Sequence, residues 1–145
     1  MEDFYIRQCR VEDAASLQAL NSDGMGYAYS VEDTVKKLQR LLQSGKDCIL
    51  VAVIKEKVVG YIHANDYDLL FSPHMKNIMA IAVARGYRRR GIGAALLLKV
   101  EEWAKASGAA GVRLVSGTAR TEAHAFYQSC GYHREKEQLN FKKRF

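Results

Sequence analysis

Residues 81–94 read Ile81-Ala82-Val83-Ala84-Arg85-Gly86-Tyr87-Arg88-Arg89-Arg90-Gly91-Ile92-Gly93-Ala94. The stretch begins as an apolar strand, passes through a basic turn and enters a long helical pattern. Glycine lets a backbone approach a ligand closely, and the first amides of a helix lack internal acceptors. With the helix dipole, such amides form a site for an anion. The stretch therefore predicts a strand–turn–helix unit that holds a phosphate group.

The glycine spacing excludes two common phosphate-binding motifs. A Walker P-loop requires GxxxxGK[ST], which the sequence lacks. A dinucleotide fingerprint requires GxGxxG, and Leu96 stands at its third glycine. From local chemistry alone, one alternative stays open, in which the glycines serve helix packing and the three arginines are merely solvated.

The composition is that of an ordinary globular domain, with 48% hydrophobic and 26% charged residues over 145 positions. This length predicts a single domain, 1–145. Lys and Arg number 22 against 16 Asp and Glu, so the formal net charge is +6. Such an excess favours an anionic partner: a nucleic acid, an anionic membrane or a phosphorylated small molecule.

Several features indicate a cytoplasmic protein. The longest apolar run, 48–54, is far shorter than the roughly 20 residues of a membrane-spanning helix. The N-terminus carries Glu2 and Asp3, unlike the basic start of a secretory signal. Three widely spaced cysteines form no CxxC pair, so we expect neither a disulfide framework nor a metal site.

The apolar periodicity changes several times along the chain. The predicted strands are 4–9, 48–54, 58–64, 78–84, 112–116 and one or two strands within 132–145. The predicted helices are 12–20, a helix capped by Ser30 and ended by Gly45, 91–107 and 121–129, with 65–76 as a loop. Consecutive strands favour antiparallel pairing, and the later β-α-β unit favours a parallel pair. We therefore expect an α/β fold with a mixed sheet flanked by helices.

A second informative segment follows the glycine turn after one helix and one strand: Ala123-His124-Ala125-Phe126-Tyr127-Gln128-Ser129-Cys130-Gly131-Tyr132. It resembles the Ala-x-x-Phe-Tyr-x-x-x-Gly-Phe/Tyr segment of the GNAT N-acetyltransferase family. That family's Gln/Arg-x-x-Gly-x-Gly/Ala turn, preceded by an apolar-x-Val strand, resembles residues 81–93 here. The two motifs occur in the family's order, and the resemblance covers nearly the whole chain.

The resemblance implies acetyl-CoA, or a related acyl-CoA, as the acyl donor. The turn would hold the CoA pyrophosphate largely through main-chain amides of Arg88, Arg89, Arg90, Gly91, Ile92, Gly93 and Ala94. The strand Ile81, Ala82 and Val83 would pair with the pantetheine arm. The amide near Val83 would polarise the thioester carbonyl. Arg120 stands where many members have an Asn on the pantetheine, and we expect it to contact donor or acceptor.

The resemblance also makes Tyr127 the general acid, because a phenol near the sulfur can protonate the departing thiolate. The carboxylate that some members use as a base is replaced by Val115 on the predicted fifth strand. On the fourth strand, Met79 and Ala80 stand in its place. The base stays open among His63, Asp66, Asp68, His124 and water.

The expected acceptor is a primary amine of a small molecule or peptide, selected by residues 21–29 between the first two helices. Asp23 and the aromatic residues there, with 65–73 as a second wall, suit a cationic amine. Many small members dimerise, so we expect a homodimer through 138–145.

Two other functions compete with an acetyltransferase. The missing carboxylate leaves open an acyl-CoA sensor without catalytic activity. The positive charge leaves open a nucleic-acid-binding module, although a phosphate turn already explains the cluster at 85–90. We expect neither nucleic acid nor a membrane as a partner.

Overall fold

A computed structural model describes residues 3–145; Met1 and Glu2, part of the acidic N-terminus considered above, lie outside the described residues. The chain divides into two compact units, the first ending at Leu114 and the second running from Val115 to Phe145. The first unit contains five strands: β1 (Tyr5–Gln8), β2 (Asp47–Ile54), β3 (Lys57–Tyr67), β4 (Met75–Val83) and β5 (Gly111–Leu114). It also contains the helices α1 (Ala14–Met25), α2 (Val31–Leu41) and α3 (Ile92–Ala106). The second unit contains α4 (Thr121–Ser129).

The five strands form one sheet in the order β1-β2-β3-β4-β5. The first three pairings are antiparallel, and β4 pairs with β5 in parallel. The predicted mixed sheet with flanking helices is therefore confirmed. The β2–β3 hairpin turns on Lys55 and Glu56, whose φ angles of 47° and 65° are those of the twisted two-residue turns that hairpins prefer.

Helices cover both faces of the sheet. On one face, Leu17, Leu20 and Leu38 of α1 and α2 pack with Val51 and Tyr61 in a buried cluster. The other face carries α3, which contacts β2, β3, β4 and β5. Its fully buried residues recur at helical spacing: Ile92, Leu96, Leu97 and Val100. The periodicity of this helix is why its prediction is correct to within a residue.

A β-bulge interrupts β4 at Met79. His63 faces Ala80 across the β3–β4 pair, but the next residue, Ala64, faces Ile78, so Met79 is an extra residue on β4. A bulge bends its strand and increases the local twist. The pairing of β4 with β5 ends at Ile78, at the same point. In the described part of the chain, no strand pairs with the outer edge of residues 79–83.

The predicted loop at 65–76 is too long. Asn65, Asp66 and Tyr67 extend β3, and they pair with residues at the start of β4. An ion pair between Asp66 and Lys76 joins the two strands, so polar residues continue the ladder where the apolar pattern stops. The loop itself is confined to 68–74.

The strand or strands predicted within 132–145 are wrong. Among residues 3–145, no strand forms after Leu114. Positions 133–137 are charged or titratable, and the apolar Leu139, Phe141 and Phe145 are 83%, 86% and 114% exposed. Because no face of this segment is buried, nothing fixes a strand register.

The first helix is longer than predicted, since α1 continues past Leu20 to Met25. It ends at Gly26, whose φ of 72° provides a left-handed C-cap. No helix in the described chain is long and apolar enough to cross a membrane. Within residues 3–145, no three His, Cys, Asp or Glu side chains are grouped so that they could hold a metal ion.

Candidate active site

The outer edge of β4 after the bulge carries backbone groups with which no strand of the described chain pairs. Ala84 donates its N–H to Val59 O at 2.8 Å, and backbone directions alternate along an antiparallel pair. Ala80 and Ala82 therefore direct their backbone groups toward β3, whereas Ile81 and Val83 direct theirs away from it. The predicted donor strand thus has one edge open to an extended ligand.

The turn after β4 contains two residues in the left-handed region. A short 3-10 turn (Arg85–Tyr87) follows the strand; Arg89 then has φ 63° and Gly91 has φ 81°. A left-handed conformation costs a non-glycine residue roughly 1–2 kcal/mol. Strained backbone conformations of this kind are frequent at functional sites. A Cβ placed on Gly91 would meet no atom within 4 Å. Backbone conformation, not packing, therefore favours glycine at position 91, which argues against the packing alternative for Gly91.

The first turn of α3 fits an anion. Gly91 is the N-cap and makes no side-chain capping bond. Ala95 is the first residue whose N–H finds a helical acceptor, Gly91 O at 3.0 Å. The amides of Ile92, Gly93 and Ala94 thus have no acceptor within the helix, and the dipole adds positive potential beside them.

Two of the exposed arginines of the turn, Arg88 and Arg90, have different neighbours. Arg88 donates from Nε to Val83 O at 3.1 Å, so its side chain folds back onto the end of β4. Arg90 lies over the Tyr87 ring, 5.0 Å from its centroid. Lys57 Nζ lies 5.6 Å from the same centroid. Sequence reasoning did not identify Lys57 as a site residue, because the β2–β3 hairpin and not the glycine motif brings it close to Tyr87.

A cavity of about 510 Å³ lies on the α1–α2 face of the sheet. Five of its twelve lining residues are aliphatic and three are tyrosines. The polar ones are Asn21, Thr34, Lys37 and His63. Tyr61 donates its hydroxyl to Asn21 Oδ1, and burial raises the pKa of Tyr61 to about 12. The volume is that of a small-molecule site, and residues 21–29, which we expect to select the acceptor, contribute to its lining.

The acidic residues expected beside the acceptor amine do not line this cavity. No carboxylate belongs to its lining among the described residues, and no residue of 65–73 does. Asp23 instead lines a second cavity, of about 480 Å³, with Val83, Arg85 and Arg88. Asp66 is engaged by Lys76, whose hydrogen bond lowers the pKa of this carboxyl.

Of the four predicted bases, His63 is the one that lines this cavity of about 510 Å³. Its Nε2 lies 2.7 Å from Asp47 Oδ1, and it faces Ala80 across the β3–β4 pair. Asp68 is exposed on the loop. His124, in the second unit, places Nε2 2.8 Å from Gly117 O. Asp47 was missed because only the register of β2 against β3 brings it to His63.

The second unit holds the other two predicted site residues. Arg120 precedes α4 and is exposed, whereas Tyr127 is half-buried within that helix. Burial raises the pKa of Tyr127, and the Arg120 charge opposes this rise. The Tyr127 ring lies 5.4 Å from that of Phe126 and 6.3 Å from that of Tyr132. Ser116 Oγ is buried with no hydrogen-bond partner in the described chain.

The chain belongs to the GNAT acetyltransferase family. The family described as "Acetyltransferase (GNAT) family" matches residues 14–132, which include both the glycine turn and α4. This confirms the resemblance on which the predicted site was based.

Solved structures share the fold. The aminoglycoside N-acetyltransferase AAC(6')-Iy in complex with CoA superposes with a TM-score of 0.88 at 17% identity, covering 100% of this chain and 97% of that one. A protein described as a transcriptional regulator from Bacillus halodurans C-125 gives a TM-score of 0.89 at 20% identity, over 97% and 100% of the two chains. At these identities the likeness concerns the fold alone.

A human relative is closer in sequence but longer. N-acetyltransferase 8 from Homo sapiens is 35% identical over 89 residues, covering 59% of this chain and 38% of the human protein. The chain therefore matches well under half the length of this curated relative.

Proposed function

We propose that the protein is a single-domain N-acetyltransferase, 1–145, that transfers an acetyl group from acetyl-CoA to a primary amine of a small molecule or peptide. The amine attacks directly while donor and acceptor are bound together. The observation that carries the proposal is one continuous feature: the open edge of β4 leads through a left-handed turn into the uncapped first turn of α3.

The donor, when bound, supplies an acetyl group activated as a thioester. Along the strand Ile81, Ala82 and Val83, the outward N–H and C=O of Ile81 pair with the pantetheine arm as an added strand would. The N–H of Val83 is then available to the thioester carbonyl. The amides of Ile92, Gly93 and Ala94 hold the pyrophosphate.

Charged side chains complete the donor site. Arg89 and Arg90 neutralise the phosphates from the turn, and Lys57 adds a cation beside Tyr87. Arg88 holds the end of β4 in place through Val83 O. The proposal for Arg120, a contact to donor or acceptor, rests on its place in the family pattern.

His63 is the proposed base. Because Asp47 accepts a hydrogen bond from Nε2–H, the lone pair of the neutral ring lies on Nδ1 and can take a proton from the amine. As the C–N bond forms and the C–S bond breaks, that proton passes to His63. The departing sulfur receives its proton from Tyr127, whose role rests on the 123–132 motif. A phenol is protonated at neutral pH, and burial, which raises the pKa of Tyr127, makes loss of that proton less favourable still.

Two further proposals follow from family membership. We propose a cytoplasmic enzyme, and a homodimer that covers the exposed Leu139, Phe141 and Phe145. Sedimentation at micromolar concentration tests the dimer, and Phe141→Glu should shift the profile to monomer. A monomeric profile for the unaltered protein would reject it.

The central test is thiol release from acetyl-CoA across a panel of amines. Acetyl-CoA at 100 times its Kd should also stabilise the fold by about 2.7 kcal/mol. Stabilisation by acetyl-CoA without thiol release on any amine would favour the sensor function. An absence of both, with salt-dependent binding of DNA, would favour the nucleic-acid-binding module.

A further inference from the structure

We infer that the acceptor is an amine that carries an apolar or aromatic body and a carboxylate, rather than a polycationic amine. The inference rests on the proposed function and names the substrate class of the same site. It comes from the cavity on the α1–α2 face, whose chemistry is set by its lining.

The body of the acceptor faces apolar and aromatic surface. Leu17, Leu38 and Ile49 lie on three different elements around the cavity, and Tyr27 and Tyr61 add aromatic surface. Aliphatic and aromatic walls bind apolar groups by removing their surface from water. A sugar or polyamine chain has polar groups along its length, and those that face the aliphatic wall would lack hydrogen-bond partners.

Lys37 supplies the charge of the cavity. Among the described lining residues it is the sole lysine or arginine. Thr34, Lys37, Leu38 and Leu41 all line the cavity and follow the i, i+3, i+4, i+7 spacing of one helix face. The Lys37 ammonium lies 5.4 Å from the centroid of the Tyr29 ring. Gln18 Nε2 donates to Tyr29 O at 3.0 Å and so ties this aromatic residue to α1.

No carboxylate lines the cavity in the described part of the chain. Asp47, which lies behind the lining residue His63, accepts hydrogen bonds from His63 and from Ser44 Oγ, the latter at 2.6 Å. Asp23 lines the other cavity, beside Arg88. A polycation in the acceptor cavity would therefore meet Lys37 with no carboxylate in the lining, whereas a carboxylate would pair with Lys37.

The reactive amine is oriented by the sheet. His63 and Tyr61 face Ala80 and Ala82 of β4, and neighbouring strands lie about 4.8 Å apart. The floor of the cavity is thus one strand from the donor edge. An amine at His63 and a carboxylate at Lys37 place the apolar body against the aromatic and aliphatic walls between them.

The test compares three acceptors that share one body: phenylalanine, phenylalanine amide and phenethylamine, with spermidine and kanamycin as polycations. The kcat/KM of phenylalanine should be about fivefold higher than that of phenylalanine amide or phenethylamine, which lack the carboxylate. Fivefold is the effect expected from one exposed ion pair. Lys37→Gln should remove this preference, and Lys37→Glu should reverse it. Lys36→Gln is the matched control, since Lys36 is exposed on α2 and does not line the cavity.

A second readout needs no turnover. The non-reactive 3-phenylpropanoate should raise the melting temperature of the unaltered protein and of Lys36→Gln, but not of Lys37→Glu. That result supports the inference even if no amine releases thiol, an outcome that would defeat the proposed function instead. Higher kcat/KM for spermidine or kanamycin than for phenylalanine would overturn the inference while leaving the acetyltransferase intact.

Discussion

The imidazole Nε2 of His63 lies 2.7 Å from the Oδ1 atom of Asp47, on the adjacent strand of the sheet. Both side chains are largely shielded from solvent, at 17% and 10% exposure. The contact fixes the ring orientation and, in the neutral ring, the nitrogen that carries the proton. It therefore supports the proposal that His63 is the base, a role that the sequence alone left open.

Replacing His63 should remove the proposed base. His63→Ala should lower kcat by about 100-fold, the lower end of general-base effects. Added imidazole should restore part of the rate, because the deleted ring leaves room beside the cavity. The measurement is thiol release at saturating acetyl-CoA, with His133→Ala, an exposed histidine of the C-terminal segment, as the control. Unchanged turnover in His63→Ala would assign deprotonation to water.

Asp47 should act through His63 as a positioning residue. Asp47→Asn can no longer hold the same tautomer, so kcat should fall by roughly tenfold. The loss should disappear in the background of His63→Ala, since the two side chains act as a unit. Additive losses in this double-mutant cycle would show that Asp47 supports the fold rather than the reaction.

The left-handed turn should be sensitive at Gly91 and insensitive at Gly86. Gly91→Ala places a Cβ at φ 81° and should lower stability by about 1 kcal/mol, with a raised Kd for CoA. Gly86→Ala meets no atom within 4 Å and has no left-handed φ, so its stability should be unchanged. Urea unfolding and calorimetric titration with CoA measure the two effects. Equal behaviour of the two variants would contradict the conformational role of Gly91.

Tyr127→Phe should separate chemistry from donor binding. The ring and its contacts with Phe126 and Tyr132 are retained, so the Kd for acetyl-CoA should hold. Loss of the proton donor should lower kcat by about 100-fold. Because burial raises the pKa of Tyr127, the unaltered enzyme should retain this donor above pH 10. A rate unchanged by the substitution would remove Tyr127 from the mechanism.

Stability should fall at alkaline pH through Tyr61. Burial raises the pKa of Tyr61 from 10.0 to about 12, so the folded state keeps the proton that the unfolded chain loses. The contribution of Tyr61 to the free energy of unfolding is complete below pH 10 and is lost as the pH rises to 12. The total loss is about 3 kcal/mol. Tyr61→Phe should flatten this part of the curve of unfolding free energy against pH. The same slope in the variant would contradict the assignment.

Elements with local signals were predictable from the sequence. The periodicity of α3 and of α4 locates both helices to within a residue, and the polar Lys55-Glu56 turn between apolar runs identifies the β2–β3 hairpin. The glycine turn was located because its chemistry is contained in consecutive residues.

Features that depend on register were not predictable. Lys76 and Ala80 are four positions apart on one strand, so simple alternation places them on the same face. Lys76 instead lies 4.0 Å from the centroid of the Trp103 ring of α3, while Ala80 packs on the α1–α2 cluster. The bulge at Met79 reverses the alternation between them. The partners of His63 and Asp66 likewise follow from strand pairing that no local pattern encodes.

The bulge also determines which kinds of sequence change this region tolerates. Deletion of Met79 would remove the bulge and restore regular pairing with β3. Either the residues before Met79 or the residues after it would then point to the opposite face of the sheet. Lys76 would then lose Trp103, or Ala80 would lose the α1–α2 cluster. Substitutions in β4 are therefore far less disruptive than a change of one residue in its length, and natural insertions and deletions should be confined to loops such as 68–74.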